Sequence, residues 1–235
     1  MVITVFIGLA IAWFYYGNIN EAEDPRVLEA KIIYKRYDAL ANLKNYDEIL
    51  VLLDSMSNIY KQYDDYKESY EIAVVYNNKA ALYLTIALFE TEEQQKKDSL
   101  FALAKTEVEQ CIGIYQEWLV KFGELNEEQI HKRVTSIYQK ENPVFQNDKI
   151  DSYINKRTHD MILAQKETPR RLSVSYTNLG IILRHQDQID EALKTYKKAL
   201  DLWGNNLTAE NNINIILGRP IREQTMLEKL FPEKK

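Results

Sequence analysis

Cysteine, histidine, proline and glycine are all scarce here: the 235 residues include 1 Cys, 3 His, 5 Pro and 7 Gly. Each scarcity excludes something. The lone Cys111 can form neither an internal disulfide nor a Cys-pair metal site, and in its apolar helical surroundings it reads as a buried structural thiol. His131, His159 and His185 are scattered, with no H-E-x-x-H, while G-x-S-x-G is absent and the glycines never cluster into a phosphate-cradling loop. Nothing therefore points to an enzyme, a cofactor, a metal or a small-molecule substrate. A long basic run is also missing. The 30 basic and 35 acidic residues are mixed along the chain, for a net charge of −5, and His131-Lys132-Arg133 is too short for a nucleic-acid patch. Few turn-makers leave many-stranded folds without their punctuation.

What is present is helical material. With 46% apolar residues there is enough for a packed core, and apolar side chains recur at helical spacing almost throughout. Asp24-Pro25 and Thr168-Pro169 each place a capping residue before a proline at the first helical position, where its missing N–H costs nothing. Thr91-Glu-Glu-Gln94 and Asn126-Glu-Glu-Gln129 have the form of capping boxes, and Asp148 and Thr208 are further caps. These signals predict helices over 25–43, 47–63, 67–90, 92–121, 127–140, 149–166, 169–186, 189–203, 209–217 and 221–230, with a loop at 141–148. Acidic pairs such as Asp64-Asp65 and Glu127-Glu128 read as solvated helix ends. Asn206-Leu207-Thr208 fits the N-glycosylation pattern.

At the N-terminus, Val2–Tyr16 carry no charge, and none appears before Glu21. As a helix, residues 1–19 would extend ~28 Å, close to the roughly 30 Å hydrocarbon core of a bilayer. Trp13, Phe14, Tyr15 and Tyr16 cluster at one end, where amphipathic rings favour the headgroup layer. A cleaved signal peptide would want basic residues after Met1 and a small-residue cleavage site, and both are missing. A buried core helix also fits so short a run. The reading adopted is a single-pass membrane anchor over 1–19 with a linker at 20–24. Arg26, Lys31, Lys35 and Arg36 follow the segment and favour a cytoplasmic folded part.

The clearest motif is SVSYTNLGIILRHQDQIDEALKTYKKALDLWG at 173–204. Tyr176, Leu179, Gly180 and Leu183, then Ala192, Tyr196 and Ala199, stand at the positions of the tetratricopeptide repeat (TPR), a helix-turn-helix of roughly 34 residues; Gly204 replaces the usual terminal proline. The segment resembles that family. Small residues at Gly180, Ala192 and Ala199 let two antiparallel helices approach, while Leu179, Leu183 and Tyr196 fill the seam. Two fainter copies precede it. YNNKAALY at 76–83, with Ala104, Val108 and Cys111 downstream, departs from the family in its long turn. Tyr37, Leu40, Ile49, Leu53 and Met56 match only as an apolar pattern. Residues 126–166 have room for a degenerate pair, and Ile213, Ile216 and Leu217 for a cap on the last hairpin.

The resemblance, spread over 25–217 but specific at 173–204, implies an all-α, TPR-like alpha-alpha superhelix of three to four hairpins, with 218–235 as a C-terminal tail. It also implies a function. Such arrays bind a partner peptide or helix in the concave groove lined by the first helix of each repeat. Opposite the hairpin seam, that stripe is Val174, Thr177, Asn178, Ile181, Arg184 and His185 in the last repeat, and Val74, Asn77, Asn78, Ala81 and Thr85 in the earlier copy. Asparagine both donates and accepts, so Asn78 and Asn178, at the same motif place, could clamp a backbone. The family's carboxylate clamp needs several basic residues on the stripe, and Arg184 is nearly alone. The expectation is a membrane-tethered protein-interaction scaffold, with a structural subunit of a larger membrane-associated complex as the alternative.

Overall fold

The computed structural model describes residues 23–138 and 143–223, and among these there is no strand. The expected anchor at 1–19 lies outside them, as do most of the expected linker and all of the tail beyond Glu223. The helices are α1 Leu28–Tyr34, α2 Tyr37–Asn42, α3 Tyr46–Lys61, α4 Tyr70–Thr85, α5 Gln94–Phe122, α6 Glu127–Thr135, α7 Ile150–His185, α8 Ile189–Leu202 and α9 Leu207–Ile216. A π-helical turn, Ile86–Glu90, extends α4, and a 3-10 turn, Asn147–Lys149, leads into α7.

The local signals account for several of these ends. Asn126 and Gln129 form a reciprocal capping box at α6, with both backbone-to-side-chain bonds at 2.9 Å. The Asp24 carboxylate accepts the Arg26 backbone N–H at 2.9 Å, as a capping aspartate should, but the residues that follow form a turn and α1 begins only at Leu28. The expected 25–43 helix is interrupted at Lys35-Arg36 into α1 and α2. Thr91 is extended, and α5 starts later, at Gln94. At α9 the cap is Asn206, whose side-chain oxygen accepts from the Ala209 N–H at 3.1 Å; Thr208 lies inside the first turn. Of the expected 221–230 helix, Ile221–Glu223 are irregular and the rest lies outside the described residues.

The largest departure is at Thr168-Pro169, expected to open a new helix. Instead α7 runs unbroken from Ile150 to His185 with Pro169 inside it. Proline there removes one backbone hydrogen bond and costs roughly 3 kcal/mol. Side chains on both sides of the proline hold the helix together: Met161, Ala164, Thr168, Leu172 and Ser173 are all buried. Thr168 is therefore a core residue, and its hydroxyl is buried without a hydrogen-bond partner.

The described chain clusters into two units. The first comprises 23–72 and 117–166. In it, α1 and α2 pack on α3, and Trp118, Ile130, Val134, Tyr138, Phe145, Ile150 and Met161 belong to one apolar cluster. The second comprises 73–116 and 167–223. Its core holds Leu183, Ala192, Tyr196, Ala199 and Ala209, closed by α9 against α8.

Tyr70–Glu90 is long and apolar enough, by length and composition, to cross a membrane. Its contacts are those of a core helix. Ile72, Ala73, Val75, Ala80, Leu82 and Leu84 are buried, and Lys79 pairs with Glu107 at 2.9 Å.

Candidate partner-binding face

In the second unit, the seam of the last hairpin is built as the small-residue spacing demands. A Cβ placed on Gly180 would lie 2.5 Å from Cε1 of Tyr196, so the absence of a side chain at 180 is what admits the buried ring. Tyr196 has its hydroxyl buried without a partner, and burial pushes that phenol up to about 12. The other end of the hairpin is polar. Ser173 donates to the Ala199 carbonyl at 2.6 Å, and the Asn206 amide donates to the Ser173 and Thr177 hydroxyls at 2.8 and 2.9 Å. Asn206 thus ties α7 to the start of α9 with every amide atom in use. It is buried, so the N-glycosylation pattern that begins there cannot be modified in the folded chain.

The first helix of this hairpin packs against α4 and α5. Ser175 donates to the Asn77 side-chain oxygen at 2.9 Å and lies 3.2 Å from the Cys111 sulfur; Gln116 donates to the Tyr176 hydroxyl at 2.8 Å. Burial raises the Cys111 thiol to about 12, which leaves it an inert packing group at neutral pH. At the far end, His185 stacks on Phe101 with ring centres 5.2 Å apart. Partial burial, with the nearby charges of Arg184 and Lys97, holds its imidazole below the usual value. The 173–204 hairpin and the 76–111 hairpin are therefore direct neighbours, although 117–166 intervenes in sequence and clusters in the other unit.

The stripe residues fall into three settings. Asn77 and Asn178 come together: the Asn178 amide donates to the Asn77 oxygen at 3.2 Å. Val174 is exposed (37%), while Asn78, Ile181 and Arg184 are half-buried, with Ile181 packed against the hairpin core. Thr177 needs correction as a surface contact. It is 3% exposed, donates to the Ser173 carbonyl at 2.9 Å and accepts from Asn206, so its hydroxyl is committed to the core. A 3.6-residue turn swings 177 inward toward α9, whose cap could not be anticipated from the motif alone.

Residues 173–206 match the family model of the tetratricopeptide repeat. No curated protein and no solved structure matches the chain. The TPR match runs to Asn206, which caps α9, so it takes in the polar junction as well as the hairpin. TPRs generally mediate protein–protein interactions and are typically non-enzymatic.

The first unit holds a buried ionic cluster, and Asp65, expected at a solvated helix end, belongs to it. Arg26 pairs with Asp24 at 2.6 Å and, through two nitrogens, with Asp65 at 2.9 and 3.0 Å. The Tyr66 and Tyr138 hydroxyls both donate to Asp24, at 3.1 and 2.7 Å, and the guanidinium lies about 5 Å from the rings of Tyr63, Tyr66, Tyr138 and Phe145. Beside it, Arg157 pairs with Glu71 and lies 4.5 Å from the Tyr66 ring. Burial pushes the Asp24 carboxyl up, but the Arg26 hydrogen bonds and charge, with Tyr138, outweigh it and hold it below the usual carboxylate value. Burial raises the Tyr66 and Tyr138 hydroxyls, so neither titrates near neutral pH. The arrangement clamps residues 24–26 to the helices. Abundant tyrosine was the only hint of it in the sequence, which offers no pairing for any of these side chains. Among the described residues, no group of three or more His, Cys, Asp or Glu side chains could hold a metal ion.

Proposed function

We propose that this chain is a non-enzymatic protein-interaction scaffold. In this reading a partner's peptide or helix docks on the second unit's stripe of Asn77, Asn78, Val174, Asn178, Ile181 and Arg184, and residues 1–19 tether the chain to a membrane as a single-pass anchor. The supporting observation is the Asn77–Asn178 bond, which sets the first helices of the 76–111 and 173–204 hairpins side by side. That is how TPR-like hairpins stack into a superhelix with a continuous concave face. Asn77 keeps its amide donor and Asn178 its side-chain oxygen for a backbone, with exposed Val174 beside them and Arg184 at the end of the row. The uncharged run up to Glu21 supports the tether.

A structural subunit of a larger membrane-associated complex is the second reading, favoured by exposed Ile215, Leu217 and Ile221 on the terminal cap. The full-length protein, captured from solubilised membranes and read by mass spectrometry, separates the two. Val174→Asp and Arg184→Ala together should keep the melting curve and lose the partner. Retention of the partner by this variant, and its loss on Ile215→Asp with Leu217→Asp, would refute the stripe. Asn178→Ala is unsuitable as a test, because losing its bond to Asn77 would itself cost roughly 0.5–1.5 kcal/mol of stability.

A further inference from the structure

Helix α1 has an outward apolar stripe that nothing in the first unit covers. Val27, just before the helix, and Ala30 are fully buried, and α1 packs on α3. Leu28 and Ile32, one turn apart, are 41% and 53% exposed, and Lys35 follows on the same line with its side chain exposed. Lys31 and Arg36 flank the stripe; Lys31 pairs with Glu23, and Arg36 reaches Glu48 at 2.5 Å. Glu29 is the one acid of this helix. The surface thus combines a narrow apolar ridge with a lysine at its end, while the flanking Lys31 and Arg36 are paired with acids.

The position of the chain's entry into the fold says what faces this ridge. Asp24 is not part of a free linker: it is 5% exposed and held by Arg26, Tyr66 and Tyr138. Glu23 is tied to Lys31 and, at 3.6 Å, to Lys156. Only residues 20–22 separate the run ending at Ile19 from these fixed points. Five residues fully extended span ~18 Å at most. If residues 1–19 cross a bilayer, Asp24 is held within that distance of its surface, and the ridge begins one helical turn further on.

We propose that the outward face of α1, carried by Leu28, Ile32 and Lys35, lies in the headgroup layer of the membrane in which residues 1–19 are anchored. The proposal rests on the anchor reading above. The ridge enters the boundary between headgroups and acyl chains, Lys35 meets lipid phosphate, and the clamp at Asp24 fixes the orientation of the first unit on the bilayer.

The test uses the full-length protein with Ile32→Cys carrying an environment-sensitive fluorophore. Cys111 is buried and does not compete for the label. The protein is reconstituted into phosphatidylcholine–phosphatidylserine vesicles and checked for resistance to carbonate extraction. The expected result is resistance together with blue-shifted emission, strong quenching by lipid spin-labelled near the headgroup and weak quenching by aqueous iodide. Resistance with full iodide access and no lipid quenching overturns the proposal and leaves the anchor standing. Extraction by carbonate overturns both. Should Ile32→Cys lose its helical circular dichroism, Lys35→Cys reports on the same stripe with the same outcomes.

Discussion

Gly180→Ala puts two well-measured effects in opposition. Within a helix, replacing glycine by alanine normally stabilises by about 1 kcal/mol, because the glycine backbone loses more freedom on folding. Here the new methyl would sit 2.5, 2.7 and 2.9 Å from Cε1, Cδ1 and Cζ of Tyr196. Carbon atoms pack best at roughly 3.5–4.0 Å, so the ring must retreat by about 1 Å. It has nowhere to go, being buried among Leu183, Ala192 and Ala199. Overpacking of this kind costs about 1–3 kcal/mol. The net effect is a loss of about 1 kcal/mol, read as a drop of about 2–4 °C in Tm for a chain of this length. With Tyr196→Leu, the obstruction goes and only the backbone effect remains. Gly180→Ala should then stabilise that variant by about 1 kcal/mol. The assay is urea unfolding, followed by circular dichroism, of wild type, both single variants and the double variant. The cycle should show a coupling of about 1–3 kcal/mol with a change of sign. If Gly180→Ala stabilises both backgrounds equally, the seam is not packed as described and the motif assignment loses its physical basis.

Pro169→Ala distinguishes an unbroken α7 from two abutting helices. In one continuous helix it restores a hydrogen bond to the Gln165 carbonyl and should raise stability by up to about 3 kcal/mol; at a first helical position it would be neutral or slightly harmful, and an unchanged urea midpoint would show that. For the Asp24 clamp, Asp24→Asn leaves Arg26 with Asp65 as its only ion-pair partner among the described residues and should cost about 3 kcal/mol at pH 7. Because the folded-state carboxyl of Asp24 titrates below its unfolded value, its contribution is complete above about pH 5 and fades as pH falls through the folded value. The gap between wild type and Asp24→Asn, followed by thermal melts from pH 7 down to about pH 2, should therefore close on the acid side; a gap constant with pH would refute the charge pairing.

Much of this protein was written locally. Helical spacing, scarce glycine and proline, and the Asn126–Gln129 box act over one to three turns, so all-α structure and the α6 start were legible without tertiary information. So was the last repeat, because Gly180, Ala192, Tyr196 and Ala199 face one another across a single short turn. Among the proposed site residues, the TPR spacing aligned Asn78 with Asn178, whereas the bond to Asn178 comes from Asn77, and it carried Thr177 outward when Asn206 draws it into the core. What only the tertiary structure decided involves partners far apart in sequence. Pro169 ends a helix by its own chemistry, yet buried neighbours on both sides keep α7 intact. Asn206 rather than Thr208 caps α9, because its amide also reaches Ser173 and Thr177. Asp24, read as a cap, became the acceptor for Tyr66 and Tyr138, 42 and 114 residues away. Local propensity sets where a helix can form; the burial of charges and polar groups, which must find partners wherever the fold supplies them, set where these helices begin, continue and join.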